Sequence, residues 1–458
     1  MAKFDLIKTA LVLLCFLLIL PGLQAVDIFA WLEMPERPIS ISDPDWAQRG
    51  SRLRLEFDVH EYYKRWVDDR LVNDFSGKSS RAELSLQLLP DFAVGARKKF
   101  AEPQTWENNS NDKSARFTMN SETEAGDVFM RFSRESFVLE VGGGSGKSYF
   151  AGDYDLHPDI VNALGKNPPI FLNTGETRRY AKFFGRYKCF KLDFELNETK
   201  YTHVVTASTP AMDLVLNHDR SLQQKSVELS WEESKVFSPY LRFDKYQDNG
   251  SGENFKDARF KFGNNRSGLD IEKLSLGGVY RFRNTSYFAE YSRMNFDVNL
   301  ETDINLITLN PIFLFGTNRV AYRMDFCPDA PWALRLGAQR CYRGIECFAQ
   351  YSYTSLSGVS TVWSQKEYNM FANVSTENTL SDTTLDLHRL ALCLNKPDTS
   401  GRWQVKLNLL VPLAESVEQK ATIPPAPGPA PQPQPAGSKL EESIRGGWQI
   451  IIAREFLL

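Results

Sequence analysis

After its first 25 residues the chain has no run that approaches the roughly 18 consecutive apolar residues of a membrane-spanning helix. Cysteine is scarce, with 6 in 458 residues, which excludes the disulfide-dense framework of small secreted domains. An excess of one charge is also missing, because 54 Lys+Arg stand against 57 Asp+Glu and the net charge is −3. Since nucleic acid binding needs a basic face, no nucleic acid partner is expected.

The N-terminal residues have the three parts of a secretory signal peptide. Lys3 and Lys8 form a basic start, residues 10–20 form an apolar core, and Ala25 offers a small-residue cleavage site before Val26. The core is too short for a spanning helix, which disfavours a retained anchor. We therefore expect residues 1–25 to be a signal peptide and residues 26–50 to be an N-terminal lead-in segment.

The dominant pattern of the remaining chain is an alternation of apolar and polar residues with a period of two. This pattern is typical of β-strands with one apolar and one polar face, and hardly any segment has helical periodicity. Between sixteen and twenty such runs can be counted, connected by short turns, such as Asn197–Thr199 and Tyr342–Gly344, and by long polar stretches. The long stretches are 61–79, 101–114, 143–177, 245–255 and 354–381. The sequence predicts an all-β fold.

Two architectures accept such strands. A soluble sandwich or propeller buries the apolar face in a core, whereas a membrane barrel turns that face to lipid and keeps the polar face in a watery lumen. Three features favour the barrel: mixed charges on the polar faces, aromatic residues at strand ends, and an amphipathic C-terminal strand from Trp448 to Leu458. The sandwich or propeller stays open as the alternative.

This combination of signal peptide, alternating strands, short and long connections and a terminal amphipathic strand resembles the outer-membrane porins of Gram-negative bacteria. The segment Phe137–Gly142, a long connection and then Arg178-Arg179-Tyr180 are similar to the large substrate-selective porins, in which a loop after such a strand folds inward. The C-terminus departs from the pattern, because the last residue is Leu458 and the final aromatic residue stands two positions earlier.

The resemblance implies a transmembrane antiparallel β-barrel of about 16–18 strands over residues 51–458, located in the outer membrane. It implies short periplasmic turns, long extracellular loops, outer-membrane lipid as a partner and a possible homotrimer. The connection 143–177 would then fold inward and narrow the lumen.

Basic side chains on predicted inward faces are candidate pore-lining groups, because rings of fixed charge select ions and solutes. Three of them follow the 143–177 connection and are candidates for a basic constriction, namely Arg178, Arg179 and Lys182. The full set is Arg54, Arg131, Arg178, Arg179, Lys182, Lys191, Arg242, Arg281, Arg323, Arg335 and Lys406.

Other motifs carry no chemistry. The segment Gly142–Ser148 resembles a phosphate loop but has Val141 where the first glycine belongs, and no helix-like segment follows. The five histidines never stand in pairs at metal-ligand spacing, and no G-x-S-x-G motif occurs. Alternation puts Cys341 and Cys347 on opposite faces of a hairpin, which argues against a disulfide. The Pro-rich segment 423–436 is expected to be an extended insertion in a long loop.

The sequence therefore predicts a porin-type channel for passive diffusion of small hydrophilic solutes or ions, without enzymatic activity, cofactor or metal. Three alternatives remain: a secreted or periplasmic sandwich or propeller that binds glycans or proteins, an outer-membrane enzyme with hydrolytic activity that depends on a histidine, and a structural or adhesive outer-membrane barrel without an open pore.

Overall fold

A computed structural model describes most of the chain after its N-terminal segment. It describes residues 37–47, 50–66, 72–109, 115–156, 170–208, 213–254, 256–257, 260–261, 264–310, 313–368, 373–397, 403–422 and 443–457. The predicted signal peptide 1–25 and the Pro-rich segment 423–436 lie outside these residues. Within the described part, no helix is long and apolar enough to cross a membrane.

Apart from one short 3-10 helix, Asp45–Ala47, the regular structure of the described residues is β-strand. The strands are β1 (Arg52–Trp66), β2 (Val72–Leu89), β3 (Phe92–Asn109), β4 (Ala115–Arg134), β5 (Phe137–Leu156), β6 (Ile170–Tyr187), β7 (Phe190–Ser208), β8 (Asp213–Trp231), β9 (Phe237–Asn254), β10 (Lys256–Asp257), β11 (Phe260–Lys261), β12 (Asn264–Phe282), β13 (Thr285–Asn310), β14 (Phe313–Pro328), β15 (Trp332–Tyr342), β16 (Ile345–Tyr368), β17 (Asn373–Pro397), β18 (Trp403–Thr422) and β19 (Ser443–Leu457).

The strands close into one antiparallel barrel. With the exception of β14 and β15, each long strand pairs with the next along the chain, β9 pairs with β12, and β19 pairs with β1 to complete the ring. Strands β14 and β15 share one position, because both lie between β13 and β16 at different heights. The small hairpin β10–β11 lies outside the ring. The wall therefore has 16 strand positions, which confirms the predicted all-β barrel and its lower strand number.

The alternation along each strand assigns its side chains to two faces. On β1, Leu55 and Phe57 are exposed on the outside, whereas Arg52 and His60 lie buried on the inside. Near the short turns the outer face carries exposed aromatic side chains, including Tyr187, Trp231, Phe237, Phe282, Tyr342 and Trp403. An apolar outer surface edged by aromatic residues and a polar inner surface are the two faces of a transmembrane barrel.

The predicted boundaries between strands and long loops are wrong in several places. Residues 143–156 and 170–177 belong to β5 and β6, so the predicted 143–177 loop is largely strand, and only 157–169 lies outside the described residues. The other long polar stretches are also mostly strand. The predicted turn Asn197–Thr199 lies inside β7, and the real turn is Lys188-Cys189. Both faces of a strand become polar beyond the apolar outer surface, so its period-two signal disappears there.

The pairing of β15 with β16 confirms the prediction for the two cysteines. Arg340 lies opposite Cys347 and Cys341 lies opposite Glu346, so the thiols point to different sides of the wall. Both cysteines are free.

Candidate functional site

The interior of the barrel is occupied at its short-turn end by residues 37–47, the described part of the predicted 26–50 segment, and from here on the lead-in segment means these residues. Ile39 and Ser40 are almost completely buried, although the segment has no strand partner. Two turns shape it, with backbone bonds of 2.8 Å from Ile41 N to Pro38 O and 3.0 Å from Ala47 N to Pro44 O. Its remaining backbone groups need partners from the wall, because buried peptide groups are costly when unpaired.

Charged side chains of the wall supply those partners. Glu228 on β8 accepts a hydrogen bond from Ile39 N at 2.8 Å, and Lys191 on β7 donates to Ile39 O at 3.1 Å. Arg281 on β12 donates to Ser40 O and, at 2.7 Å, to Ser238 Oγ. The same two cations reach Glu232 in the β8–β9 turn, at 3.0 Å from Lys191 and 3.3 Å from Arg281. The lead-in segment is thus held by charge-assisted bonds, the stronger class of hydrogen bond.

The middle of the lead-in segment is fixed by an ion pair. Asp43 binds Arg186, at the end of β6, and lies 3.4 Å from Lys191. Burial by itself raises the pKa of the Asp43 carboxyl, but hydrogen bonding and attraction from Arg186 and Lys191 outweigh it and lower the pKa below its usual range. This carboxyl is therefore ionised at neutral pH, which keeps both cations bound to it.

Apolar contacts and a second ion pair fix the start of the lead-in segment. Ile41 packs against a buried cluster on the inner face that includes Tyr240, Phe288 and Phe348. The guanidinium of Arg37 lies 5.1 Å from the centre of the Phe348 ring and 3.5 Å from Glu346. The segment therefore contacts the wall from β6 to β16 and covers part of the lumen at this end.

One side of the inner wall carries a buried charge cluster, which we call the Glu140 cluster. Glu140 is fully buried and binds Arg97 at 2.7 Å and Arg131 at 2.5 Å. Glu83 binds Arg97 at 2.9 Å and Arg52 at 3.2 Å. Three guanidinium groups thus share two carboxylates, so the removal of either carboxylate leaves buried positive charge without compensation.

The opposite side of the inner wall carries a second set, the Glu290 cluster. Glu290 accepts bonds from Arg335 on β15 at 2.8 Å and from Tyr240 Oη on β9 at 2.9 Å. Asp244 lies 2.9 Å from Arg242 and 3.4 Å from Lys273. Glu228 also belongs to this cluster, because it lies 3.9 Å from Arg242. The cluster therefore contains three acidic and three basic side chains. The inner face is strongly polar, yet its charges are close to balanced.

Glycines let aromatic side chains of the inner face lie flat against the wall. The Tyr240 ring lies against Gly277 on β12, and the Phe129 ring lies against Gly95 on β3, so closely that a Cβ at either glycine would overlap the ring. The aromatic side chains therefore take up the space of the missing side chain rather than space in the lumen.

Farther from the short turns, on β9, β12 and β13, the polarity of the two faces reverses. On the inside, Tyr246, Leu269 and Ile271 form a buried apolar cluster with Phe296 and Val298 packed against it. On the outside, Lys245 lies 2.6 Å from Glu272 and 3.5 Å from Asp270. Outward ion pairs also join Lys98 to Glu124 and Arg323 to Asp325. The outer surface at this height is that of a protein in water.

Nine of the eleven predicted pore-lining residues lie on the inner face. They are Arg54, Arg131, Arg178, Lys182, Lys191, Arg242, Arg281, Arg335 and Lys406. Arg178 binds Asp127, and Lys182 lies 2.9 Å from Glu195, so the predicted basic constriction is neutralised by acids.

The register places the other two residues on the outer face, which corrects the inward assignment. Arg179 is exposed and lies opposite Glu198, and Arg323 lies opposite Glu301 and pairs with Asp325. The sequence-based assignment assumed that the polar face of every strand points into the barrel. That rule does not hold above the apolar surface, where the outer face is polar too.

Two histidines that are distant in sequence are neighbours in the barrel. His203 on β7 and His218 on β8 are direct cross-strand partners with ring centres 6.1 Å apart. Thr174 Oγ1 lies 2.9 Å from His203 Nδ1. In the part of the chain that the structure describes, no group of three or more potential metal ligands surrounds them.

Sequence reasoning missed the lead-in segment as part of the site. The bond from Ile39 to Glu228 joins residues 189 positions apart, and the segment has no alternation. The segment's charged residues and prolines are equally typical of a linker, so they give no local signal of its place inside the barrel.

A closed antiparallel barrel with an apolar outer surface, an aromatic edge and a charged interior defines the class of outer-membrane-type β-barrels. No family model and no curated protein sequence matches the chain.

Three solved structures show how distant the comparisons are. The toluene transporter TodX of Pseudomonas putida is 9% identical, with a TM-score of 0.36, over 94% of this chain and 93% of that one. The siderophore receptor PirA of Pseudomonas aeruginosa is 10% identical, with a TM-score of 0.34, over 90% and 82%. The alcaligin outer-membrane receptor FauA of Bordetella pertussis is 10% identical, with a TM-score of 0.37, over 92% and 77%. The pairing of β19 with β1 and the two faces of the wall define the barrel independently of these similarities.

Proposed function

We propose that this protein is an outer-membrane channel through which small hydrophilic solutes or ions diffuse passively. The chain is exported by its signal peptide, and the barrel lies in outer-membrane lipid with its short turns on the periplasmic side. The proposal assigns it no catalytic activity and no cofactor.

The observation that carries this proposal is the charged inner face of a closed barrel whose outer face is apolar. The polar inner face, of which the Glu140 and Glu290 clusters are the buried part, supports a path for water and polar solutes that lipid does not offer. Because acids and bases are interleaved around the wall, we expect weak ion selectivity rather than a strong preference for one sign.

The lead-in segment takes the role first predicted for the 143–177 connection. It lies inside the barrel at the short-turn end and is bound by Lys191, Arg281 and Glu228. We propose that it narrows the channel there and that release of these bonds widens the path.

Conductance in a planar bilayer tests the proposal. The mature chain should give stepwise channels, and deletion of residues 37–47 behind an intact signal peptide should raise the unit conductance. The double variant Lys191→Gln/Arg281→Gln should raise it in the same direction, because it removes the bonds to Ile39 and Ser40. Lys98→Gln is the matched control, since Lys98 is an outward lysine paired with Glu124 and should leave the conductance unchanged.

Three results would contradict the proposal. Silence of both the mature chain and the deletion variant would favour a structural or adhesive barrel without an open pore. A mature chain that stays soluble without detergent would favour the secreted binding module. Channels with the same conductance in all variants would remove the lead-in segment from the mechanism. Crosslinking in native membranes would test the homotrimer separately.

A further inference from the structure

A groove on the outer face of the barrel lies across β13, β15, β16, β17 and β18, near the short turns. Its volume is about 370 Å³, within the range of small-ligand sites. It is lined by outward side chains from all five strands, most of them apolar. The groove interrupts a surface on which many exposed side chains are large and apolar.

The strand register explains why the surface is concave here. Ala338 on β15 lies directly opposite Ala349 on β16, so two small side chains stand side by side. Tyr287 flanks Ala338 on one side and Leu392 flanks Ala349 on the other. The two alanine methyl groups between Tyr287 and Leu392 leave a gap in the groove that is one strand pair wide, which we call the notch.

The notch is closed at one end and open at the other. Two residues farther from the short turns, the outward pair is Leu336 and Tyr351, both large. Two residues closer to the short turns, the outward pair is Arg340 and Cys347. An extended apolar chain can therefore enter from the short-turn end, with Arg340 at its entrance.

Arg340 is available for an anion. Its side chain is exposed at the rim of the groove, and it has no carboxylate partner among the residues that the structure describes. A guanidinium pairs well with a phosphate, because its donors match two phosphate oxygens at once. The groove thus joins a slot for a hydrocarbon chain to a site for a phosphate group.

Three short turns at this rim of the barrel, two of which lie beside the groove, combine an aromatic side chain with a basic one. Lys188, Arg283 and Arg343 follow Tyr187, Phe282 and Tyr342, with each cation 5.1–5.4 Å from the centre of its ring. All three basic residues have φ between 50° and 54°, a region that normally favours glycine or asparagine. Basic side chains are held at this rim despite the backbone strain, which fits a layer of negative charge outside it.

We propose that the groove binds one anionic phospholipid of the leaflet at the short-turn end, with an acyl chain between Tyr287 and Leu392 and the phosphate on Arg340. The proposal rests on the membrane placement given above but not on channel activity. A second copy of this chain fits less well. A two-fold contact would set concave surface against concave surface and bring two unpaired Arg340 side chains together.

Native mass spectrometry of the detergent-purified chain tests this site, with phosphatidylglycerol and phosphatidylcholine of identical acyl chains as probes. We expect one phosphatidylglycerol to bind more tightly than phosphatidylcholine. Arg340→Gln should weaken the first phosphatidylglycerol about tenfold, which corresponds to about 1.4 kcal/mol. Ala338→Leu should weaken both lipids because it fills the notch, and Ala349→Leu repeats this test from the neighbouring strand.

Arg134→Gln is the matched control, because Arg134 is another rim arginine stacked on an aromatic ring, Phe132, on the far side of the barrel. It should leave the first lipid unchanged. Heat-modified mobility on gels confirms that each variant is folded.

Equal affinity for both lipids, or no effect of either alanine variant, would overturn the lipid site. An oligomer that Ala338→Leu dissociates would assign the groove to a second copy instead. Solubility without detergent would contradict the membrane placement, whereas silent bilayers with normal lipid binding would contradict only the channel.

Discussion

On β9, β12 and β13, the lower part of the barrel wall, next to the short turns, and the upper part beyond it have opposite polarity. On β12, Leu274 and Leu276 point outward in the lower part and are 53% and 66% exposed, whereas Lys273 points inward and is buried. One step farther along the same strand, Glu272 points outward and the inward Ile271 is completely buried. On β12, the change from an apolar to a charged outer surface therefore falls between two consecutive outward residues, Leu274 and Glu272.

This difference locates the edge of the lipid layer. Exposed leucines are stable where lipid surrounds them, and exposed ion pairs are stable where water does. The outward pair of Lys245 and Glu272 and the outward pair of Lys98 and Glu124 mark the water side on well-separated strands. The interior has buried charge clusters in the lower part, whereas the upper part combines an apolar cluster with the buried ion pair of Arg220 and Asp248.

The largest expected effect comes from the removal of a buried carboxylate in the lower interior. Glu140→Gln leaves Arg52, Arg97 and Arg131 with only Glu83, so we expect a loss of about 3–5 kcal/mol of unfolding free energy. Urea unfolding in detergent or vesicles measures it. The matched control is Glu272→Gln in the upper exterior, where an exposed ion pair contributes about 0.2–1 kcal/mol. Equal losses of unfolding free energy for the two variants would mean that Glu140 in the lower interior is as well hydrated as Glu272 on the upper exterior.

A charge on the lipid-facing surface should have the next largest effect. Leu276→Arg puts a guanidinium in the middle of the apolar outer surface, and we expect a loss of about 2–4 kcal/mol in vesicles. Gln247→Arg is the control on the upper exterior, next to Asp270, and should change the unfolding free energy by less than about 0.5 kcal/mol. If Leu276→Arg were as mild as its control, the lower exterior would face water.

The smallest expected effect is a dependence of the conductance on pH. The pKa of Asp43 is lowered in the folded protein by Arg186 and Lys191, so its contribution is present above its unfolded pKa and is lost as the pH falls through the lowered value. Acidification should therefore loosen the lead-in segment and raise the conductance. Asp43→Asn should raise the conductance at neutral pH and reduce the further rise on acidification. An unchanged acid response in this variant would show that other groups control it.

The sequence predicted the lower part of the barrel well and the upper part poorly, for a physical reason. Alternation such as that of Leu53, Leu55 and Phe57 is strong only where one face meets lipid and the other meets water. In the upper part both faces of a strand can carry polar residues, so β5 and β6 looked like a loop and Arg179 and Arg323 looked like lumen residues. The position of the lead-in segment inside the barrel could not be predicted from the sequence, because bonds such as that between Ile39 and Glu228 form only when the whole barrel has closed.

The most direct test of the account is a spin-label accessibility scan of the outward positions of β12 in lipid vesicles. Labels would be placed singly at Leu276, Leu274, Glu272 and Asp270 in a background without the native cysteines. We predict high accessibility to oxygen at the two leucine positions and high accessibility to a water-soluble nickel chelate at the two acidic positions. Chelate accessibility at all four positions would contradict a membrane-embedded lower wall.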